Sequence, residues 1–136
     1  MSNIEQTLSI IKPDAVERNL DNEIKEIFKK NGFSIIKEKK IQIEKTEAEK
    51  FYKVHETKPF YEDLCAYLSS GPILVMILEK ENAVLANREL MGATNPKDAN
   101  DGTIRKKYGI SIDKNSVHGS DSIENAQIEI NFFFKD

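Results

Sequence analysis

The sequence predicts a two-layer α+β sandwich of the split β-α-β kind, a small and mainly antiparallel sheet with helices over it. Apolar residues switch along the chain between a spacing of two and a helical spacing, which alternates strands with helices. One run, residues 73–78, is continuously apolar, as a strand covered on both faces requires. Neither repeat nor linker interrupts the 136 residues, so one domain over 1–136 is expected.

The first strand is read at residues 8–11, ended by Lys12 and Pro13. A helix fits 21–30. Ile24, Ile27 and Phe28 form its apolar face, Lys29 and Lys30 sit at its negative end, and Gly32 can take the left-handed cap. From 33 to 43 the period is two: Phe33, Ile35, Ile41 and Ile43 share one parity, while Lys37 and Lys39 interrupt it, as in a strand with an exposed middle. Thr46 and Glu49 make a capping-box pair ahead of a helix carrying Ala48, Phe51, Tyr52 and His55 on one side. Pro59 ends that helix, and a second one over 61–68 hides Leu64, Cys65 and Leu68. Residues 69–72 then turn the chain into the apolar strand.

A further helix over 82–91 has Val84, Leu85, Ala86, Leu90 and Met91 as its apolar residues and Gly92 as its stop. Residues 93–116 hold six Asn or Asp, two glycines and one proline, and only 103–107 has a helical pattern. A loop of that length in a small domain usually binds something. Asp121 with Glu124 is a second capping-box pair, opening a helix with Ile123, Ala126, Ile130 and Phe133 on one face. Ile128, Ile130, Phe132 and Phe134 also alternate as a strand would; the box and the Ala-Gln-Glu content favour the helix.

Composition narrows the function. Hydrophobic residues at 39% and charged residues at 32% describe a soluble globular chain. Twenty basic against 23 acidic residues leave a net charge of -3, so there is no overall field for DNA or an anionic membrane, and any phosphate must be bound locally. Only three of the basic residues are arginines, Arg18, Arg88 and Arg105. The single cysteine, Cys65, excludes an internal disulfide and reads as a buried small hydrophobe; no Cys-His cluster has zinc spacing. The amino terminus lacks a signal pattern and the longest apolar stretch, 72–78, is too short to span a bilayer, which makes the cytoplasm the expected location.

No GxGxxG or GxxxxGK[ST] motif is present, so a nucleotide site here would have to use side chains. His118 lies in Asn115-Ser116-Val117-His118-Gly119-Ser120-Asp121, between an apolar element and a capped helix. Gly119 permits a close approach, and the helix amides ahead of it can meet an anion. Glu129, two turns into that helix, can reach back to orient the ring. The competing reading is a histidine that merely satisfies backbone groups. His55, beside Glu56 and Lys58, reads as part of its helix more than as a site residue. Arg88 and Arg105 have the forked geometry that clasps phosphate, unless both are solvated surface charges. Lys12 could point over the sheet edge, although surface lysines are commoner. Phe60 is an exposed platform or part of the core, and the core is favoured.

These residues carry a resemblance. The run Thr7-Leu8-Ser9-Ile10-Ile11-Lys12-Pro13-Asp14-Ala15-Val16, then Phe51-Tyr52 with His55, Pro59-Phe60 and Ser70-Gly71-Pro72 all match one family. So do Asn87-Arg88-Glu89-Leu90-Met91-Gly92-Ala93-Thr94-Asn95-Pro96, Gly102-Thr103-Ile104-Arg105 and the His118 motif. Over essentially its whole length the chain resembles nucleoside diphosphate kinases. The resemblance implies a ferredoxin-like fold with a four-stranded sheet, and a homo-oligomer, tetramer or hexamer, built from dimers.

It also implies a ping-pong transfer in which His118 takes the γ-phosphoryl of a nucleoside triphosphate, chiefly ATP, on Nδ1 and passes it to a nucleoside diphosphate. The cell's NTP and dNTP pools are kept in balance that way. Glu129 matches the carboxylate that holds the other ring nitrogen, with Ser120 close to the pair. Arg88, Arg105 and Thr94 match residues that grip the phosphates, and Tyr52 the hydroxyl beside the histidine. Lys12 and Asn115 match contacts to sugar hydroxyls and phosphate oxygens. Phe60 and Ile112 match the pair that sandwiches the base, with Leu64 near it. Asp121 matches a residue that meets Mg2+ through water, the metal riding mainly on the nucleotide.

A base held by stacking alone, with no bonds to its edge, is poorly discriminated, so broad base tolerance is expected. Three rivals stand against this reading: a nucleotide-binding scaffold without catalysis, a different histidine phosphocarrier, and an RNA-reading sheet. The last needs aromatics on adjacent strands of a basic domain, which residues 8–12 and the charge of -3 do not provide, so no dedicated nucleic-acid binding is expected. Asn22, Lys80 and Tyr108 stand where many family members have glycine, glycine and phenylalanine, and backbone adjustment is expected around Lys80. Phe132, Phe133 and Phe134 are hard to hide on one side of a helix and offer themselves to a partner subunit.

Overall fold

The structure, a computed structural model, describes residues 4–53, 56–111 and 114–134. Its four strands are β1 (Ile4–Ile11), β2 (Ser34–Ile41), β3 (Ile73–Glu81) and β4 (Val117–Gly119), in the order β2-β3-β1-β4. Every neighbouring pair is antiparallel. Among the described residues the helices are α1 (Pro13–Glu17), α2 (Asp21–Lys30), α3 (Lys45–Phe51), α4 (Tyr61–Leu68), α5 (Ala83–Met91), α6 (Ile104–Tyr108) and α7 (Ile123–Phe134). The four-stranded antiparallel sheet with helices over it is the architecture that the alternating pattern and the resemblance led us to expect.

The apolar run of β3 explains how the helices are shared between the two faces of the sheet. Successive side chains on a strand point to opposite sides. Leu74, Met76 and Leu78 join Ile24 and Phe28 of α2 and Ala83 and Met91 of α5 in one core. Ile73 and Val75 join Ala48 of α3, Cys65 and Leu68 of α4 and Phe133 of α7 in the other. The two-layer unit of sheet, α2 and α5 therefore has its second face closed as well, and β3 is covered on both sides.

Several boundaries differ from the sequence reading, each for a physical reason. In β2, Phe33 and Ile35 belong to the α2 side while Ile41 and Ile43 belong to the α4 side, although all four share a parity. The register against β3 slips between Ile35 and Lys37, and a one-residue bulge flips every later side chain to the opposite face. Helix α3 is capped by Glu44 with Glu47 in a reciprocal box, not by Thr46 with Glu49, so it starts two residues earlier, with Ala48 buried. At α7 the cap is Ser122, whose Oγ accepts from the Asn125 N–H at 3.1 Å. Asp121 accepts from the Asn125 side-chain amide at 2.6 Å instead of pairing with Glu124.

The expected adjustment around Lys80 lies two residues on. Lys80 is extended in β3, and the left-handed turn falls at Asn82 (φ 53), a residue type that tolerates it. Asn22 sits in α2 without strain, and the Tyr108 hydroxyl donates to Glu23 at 3.0 Å, a bond phenylalanine could not make. Phe133 is buried in the α4-side core, while Phe132 and Phe134 pack against it and stay partly exposed.

Candidate active site

His118 lies on β4, where it pairs with Ile10 of β1, just ahead of α7. Gly119 follows because α5 crosses β4 at very short range: a Cβ there would come within 2.3 Å of Asn87 Nδ2 and 2.7 Å of Met91 Cε. The close approach of α5 brings Arg88 alongside His118. Two loop-borne segments complete the cleft. The stretch after Gly92 (φ 87) supplies Thr94, and Arg105 is carried by the short helix α6, capped by the Thr103 side chain.

The His118 ring is fixed from behind. Its Nε2 lies 3.0 Å from Glu129 Oε1, with the side chains 21% and 18% exposed. Ser120 Oγ donates to the same carboxylate oxygen at 2.9 Å and accepts from the Leu8 N–H at 3.3 Å. An ionised carboxylate only accepts, so in the neutral imidazole the proton is on Nε2 and Nδ1 keeps its lone pair. Phe51 packs edge-on to the imidazole, with centroids 5.3 Å apart, and Tyr52 stands at 6.4 Å. Burial, with the Glu129 charge adding to it, pushes ionisation of the Tyr52 phenol well above the usual range and keeps it a hydrogen donor.

Basic groups gather in front of the ring. Arg105 is buried, its Nη1 donating to the Gly92 carbonyl and its Nη2 to the Val117 carbonyl, both at 2.9 Å. Burial lowers its pKa to about 10, which still leaves it charged at neutral pH. Its Nε is buried with no partner among the described residues. Lys12, also buried, donates from Nζ to Asn115 Oδ1 at 3.0 Å, and Asn115 Nδ2 donates to the Thr94 carbonyl at 3.0 Å. This chain of bonds fixes which way the Asn115 amide faces.

A cleft of about 1040 Å³ brings these groups together: Lys12, Tyr52, Arg88, Thr94, Arg105, Asn115 and His118 all line it. Phe60, Leu64 and Asp121 line its mouth side as well. Phe60 is 45% exposed, so it is not the core residue its sequence context favours; it sits at the N-cap of α4, ahead of the helix's buried face. Ser120 and Glu129 stand behind the histidine. Ile112 and His55 lie outside the described residues. Gly92, Asp98, Asn100 and Thr103 also line the cleft without having been singled out as site residues; only the density of Asn, Asp and Gly in 93–116 hinted at them.

A family model for nucleoside diphosphate kinase matches residues 5–136. The chain belongs to the nucleoside diphosphate kinase family. It is 59% identical over 131 residues to the nucleoside diphosphate kinase of Nitratiruptor sp., covering 96% of each chain. To the enzyme of the same name from Campylobacter jejuni (strain ATCC 700819) it is 58% identical over 132 residues, 97% of this chain and 96% of that one. Among solved structures, an orthorhombic crystal form of Aquifex aeolicus nucleoside diphosphate kinase superposes with a TM-score of 0.95 at 38% identity, covering 97% and 96% of the two chains. The apo Encephalitozoon cuniculi nucleoside diphosphate kinase gives 0.94 at 37% identity, covering 97% and 90%. As a family member the chain is a nucleotide-binding phosphotransferase.

Proposed function

We propose that residues 1–136 form a single kinase domain in which His118 carries the phosphoryl group between nucleotides. The observation that supports this most is the Glu129 contact to Nε2, which leaves the opposite ring nitrogen unprotonated beside two arginines and a lysine. The Nδ1 lone pair forms a bond to the γ-phosphorus of a nucleoside triphosphate, chiefly ATP, as the bond to the β,γ-bridging oxygen breaks and the diphosphate leaves. A nucleoside diphosphate then takes the group by the reverse displacement. Phosphoryl transfer asks the protein mainly for alignment and for cations around the equatorial oxygens.

In this reading Arg88 and Arg105 neutralise the phosphates, Thr94 adds a hydrogen bond, and the Tyr52 hydroxyl stands beside the reacting nitrogen. Lys12 and Asn115, held together, meet the sugar hydroxyls and the nearest phosphate oxygens. Phe60 and Ile112 clamp the base, with Leu64 alongside. Mg2+ would ride mainly on the nucleotide phosphates, and Asp121, which lines the cleft, would meet it through water. The ion adds charge neutralisation to the phosphates.

The substrates are nucleoside di- and triphosphates, and the balance of NTP and dNTP pools is the role. The outer edge of β2, with Ile36 44% exposed, supports assembly from dimers into a tetramer or hexamer. No helix of the described residues is long and apolar enough to cross a membrane, which accords with the cytoplasm as location.

The deciding experiment incubates the protein with γ-labelled ATP and magnesium and no acceptor. About one acid-labile, base-stable phosphate per chain is expected, as a covalent intermediate demands. Each of the four nucleoside diphosphates should discharge it at similar rates, because the clamp reads no base edge. No label, or discharge by one base only, refutes the reading. Glu129→Gln tests the tautomer argument. The amide can donate as well as accept, so Nδ1–H becomes an accessible form, and label uptake should slow roughly 10- to 100-fold, in the range of other orienting partners.

A further inference from the structure

Of the three arginines, two face the cleft; the third, Arg18, does not line it. Arg18 follows α1 and turns its guanidinium inward to four acceptors. Its Nε donates to the Asp14 carbonyl at 3.0 Å, and its Nη2 reaches Asp14 Oδ2 at 3.2 Å, the Tyr108 carbonyl at 2.7 Å and Ser116 Oγ at 3.3 Å. Asp14 is itself buried and braced. Tyr67 donates to its Oδ1, and Ser116 Oγ donates to its Oδ2 at 3.0 Å.

The three places so tied are those that position the cleft's cations and its histidine. The α1 segment begins one residue after Lys12. Tyr108 ends α6, one turn beyond Arg105. Ser116 joins Asn115 to Val117 and His118 in a turn that an L-residue rarely adopts: its φ is 76, and the Val117 N–H donates to the Asn115 carbonyl at 3.0 Å, an i to i+2 closure. The Lys12 N–H donates to the Ser116 carbonyl at 2.8 Å, so the same turn also fixes Lys12. Such a turn persists only where its surroundings impose it. Ser116 is fully buried, and its hydroxyl is held by Asp14 and Arg18.

We propose that Arg18 is a positioning residue for phosphoryl transfer, its fork holding the Ser116 turn and the end of α6 in the register that aims Asn115, His118 and Arg105 at one triphosphate. A lysine would keep the charge and lose the fork: Nη2 meets Asp14 Oδ2, the Tyr108 carbonyl and Ser116 Oγ while Nε is anchored on the Asp14 carbonyl, and an ammonium has no second, rigidly linked donor to fix its direction. The proposal rests on the reading of the cleft given above. It predicts that the chemistry fails in folded protein, because a displacement of an ångström or so among reacting groups is enough to cost about a hundredfold.

The test compares Arg18→Ala, Arg18→Lys and Ser116→Ala with the parent protein in single-turnover labelling from γ-labelled ATP, beside thermal unfolding of each. Label uptake by the parent chain comes first: if it takes none, the cleft reading fails and Arg18 is not at issue. Given uptake, the expected result is a 10- to 100-fold fall in kcat/KM for both Arg18 variants at a temperature where each is fully folded, with a higher KM for triphosphate. Ser116→Ala should fall in the same direction by a smaller factor. Parent-like rates in Arg18→Ala, rates restored by Arg18→Lys, or losses that only follow the unfolded fraction would each overturn the proposal. Should Arg18→Ala not fold, Arg18→Lys and Ser116→Ala decide it by the same criteria.

Discussion

His118→Ala is expected to leave a folded protein that takes up no phosphate and turns over nucleotide at roughly 10⁻⁴ of the parent rate or less, the scale on which a lost covalent nucleophile is felt. The size of the effect follows from the state of the other candidate nucleophiles among the described residues. The Tyr52 phenol is held protonated by its burial, and the Ser120 hydroxyl is committed to Glu129. Cys65 is buried in the α4-side core, its thiol pushed up by desolvation. The Lys12 Nζ donates to Asn115 Oδ1, and a charged ammonium has no lone pair with which to attack. Folding should survive, because the ring is part-exposed and Glu129 keeps Ser120 as a donor, so no buried charge is orphaned. A loss of about 1 kcal/mol is the expected scale for such a change. Steady-state turnover and a denaturant unfolding curve on the same preparation separate the two effects; turnover within tenfold of the parent would remove His118 from the reaction.

How far this site could be foreseen depends on how local its causes are. The α4 boundaries and the β3 core read directly from apolar spacing, because those residues answer to a single burial field. Glu129 could be placed behind His118 from helix geometry alone, since both ends of that contact belong to one short stretch. The bulge near Ile36 left no mark, for one inserted residue changes faces without changing composition. Strand β4 is three residues long and exists only by pairing with β1, so local spacing sets His118 between an apolar element and a helix without showing the strand. Phe60 is exposed against its sequence context because hydrophobicity predicts burial only on average. Arg18 stood out by rarity, yet its four acceptors come from residues up to 98 positions away, and no local pattern encodes them.

Gly119→Ala is expected to destabilise the protein by a clearly measurable amount. The φ at Gly119 is not among the left-handed values, so the cost comes from space alone. The added carbon would lie 2.3 Å from Asn87 Nδ2 and within 3.0 Å of two atoms of Met91, all on α5. Met91 ends in a flexible thioether that can rotate. Asn87 cannot yield so easily: it is fully buried, and its amide already has no hydrogen-bond partner among the described residues. The helix as a whole must therefore move outward from the sheet. Overpacking of this kind costs about 1–3 kcal/mol, which a denaturant midpoint resolves. Arg88 rides on the same helix, so the outward shift should also raise KM for triphosphate by several fold while the His118 to Glu129 contact persists. An unchanged midpoint would mean that α5 is less tightly seated on β4 than the 2.3 Å approach requires. In that case the packing of α5 against β4 could not be what holds Arg88 over the cleft.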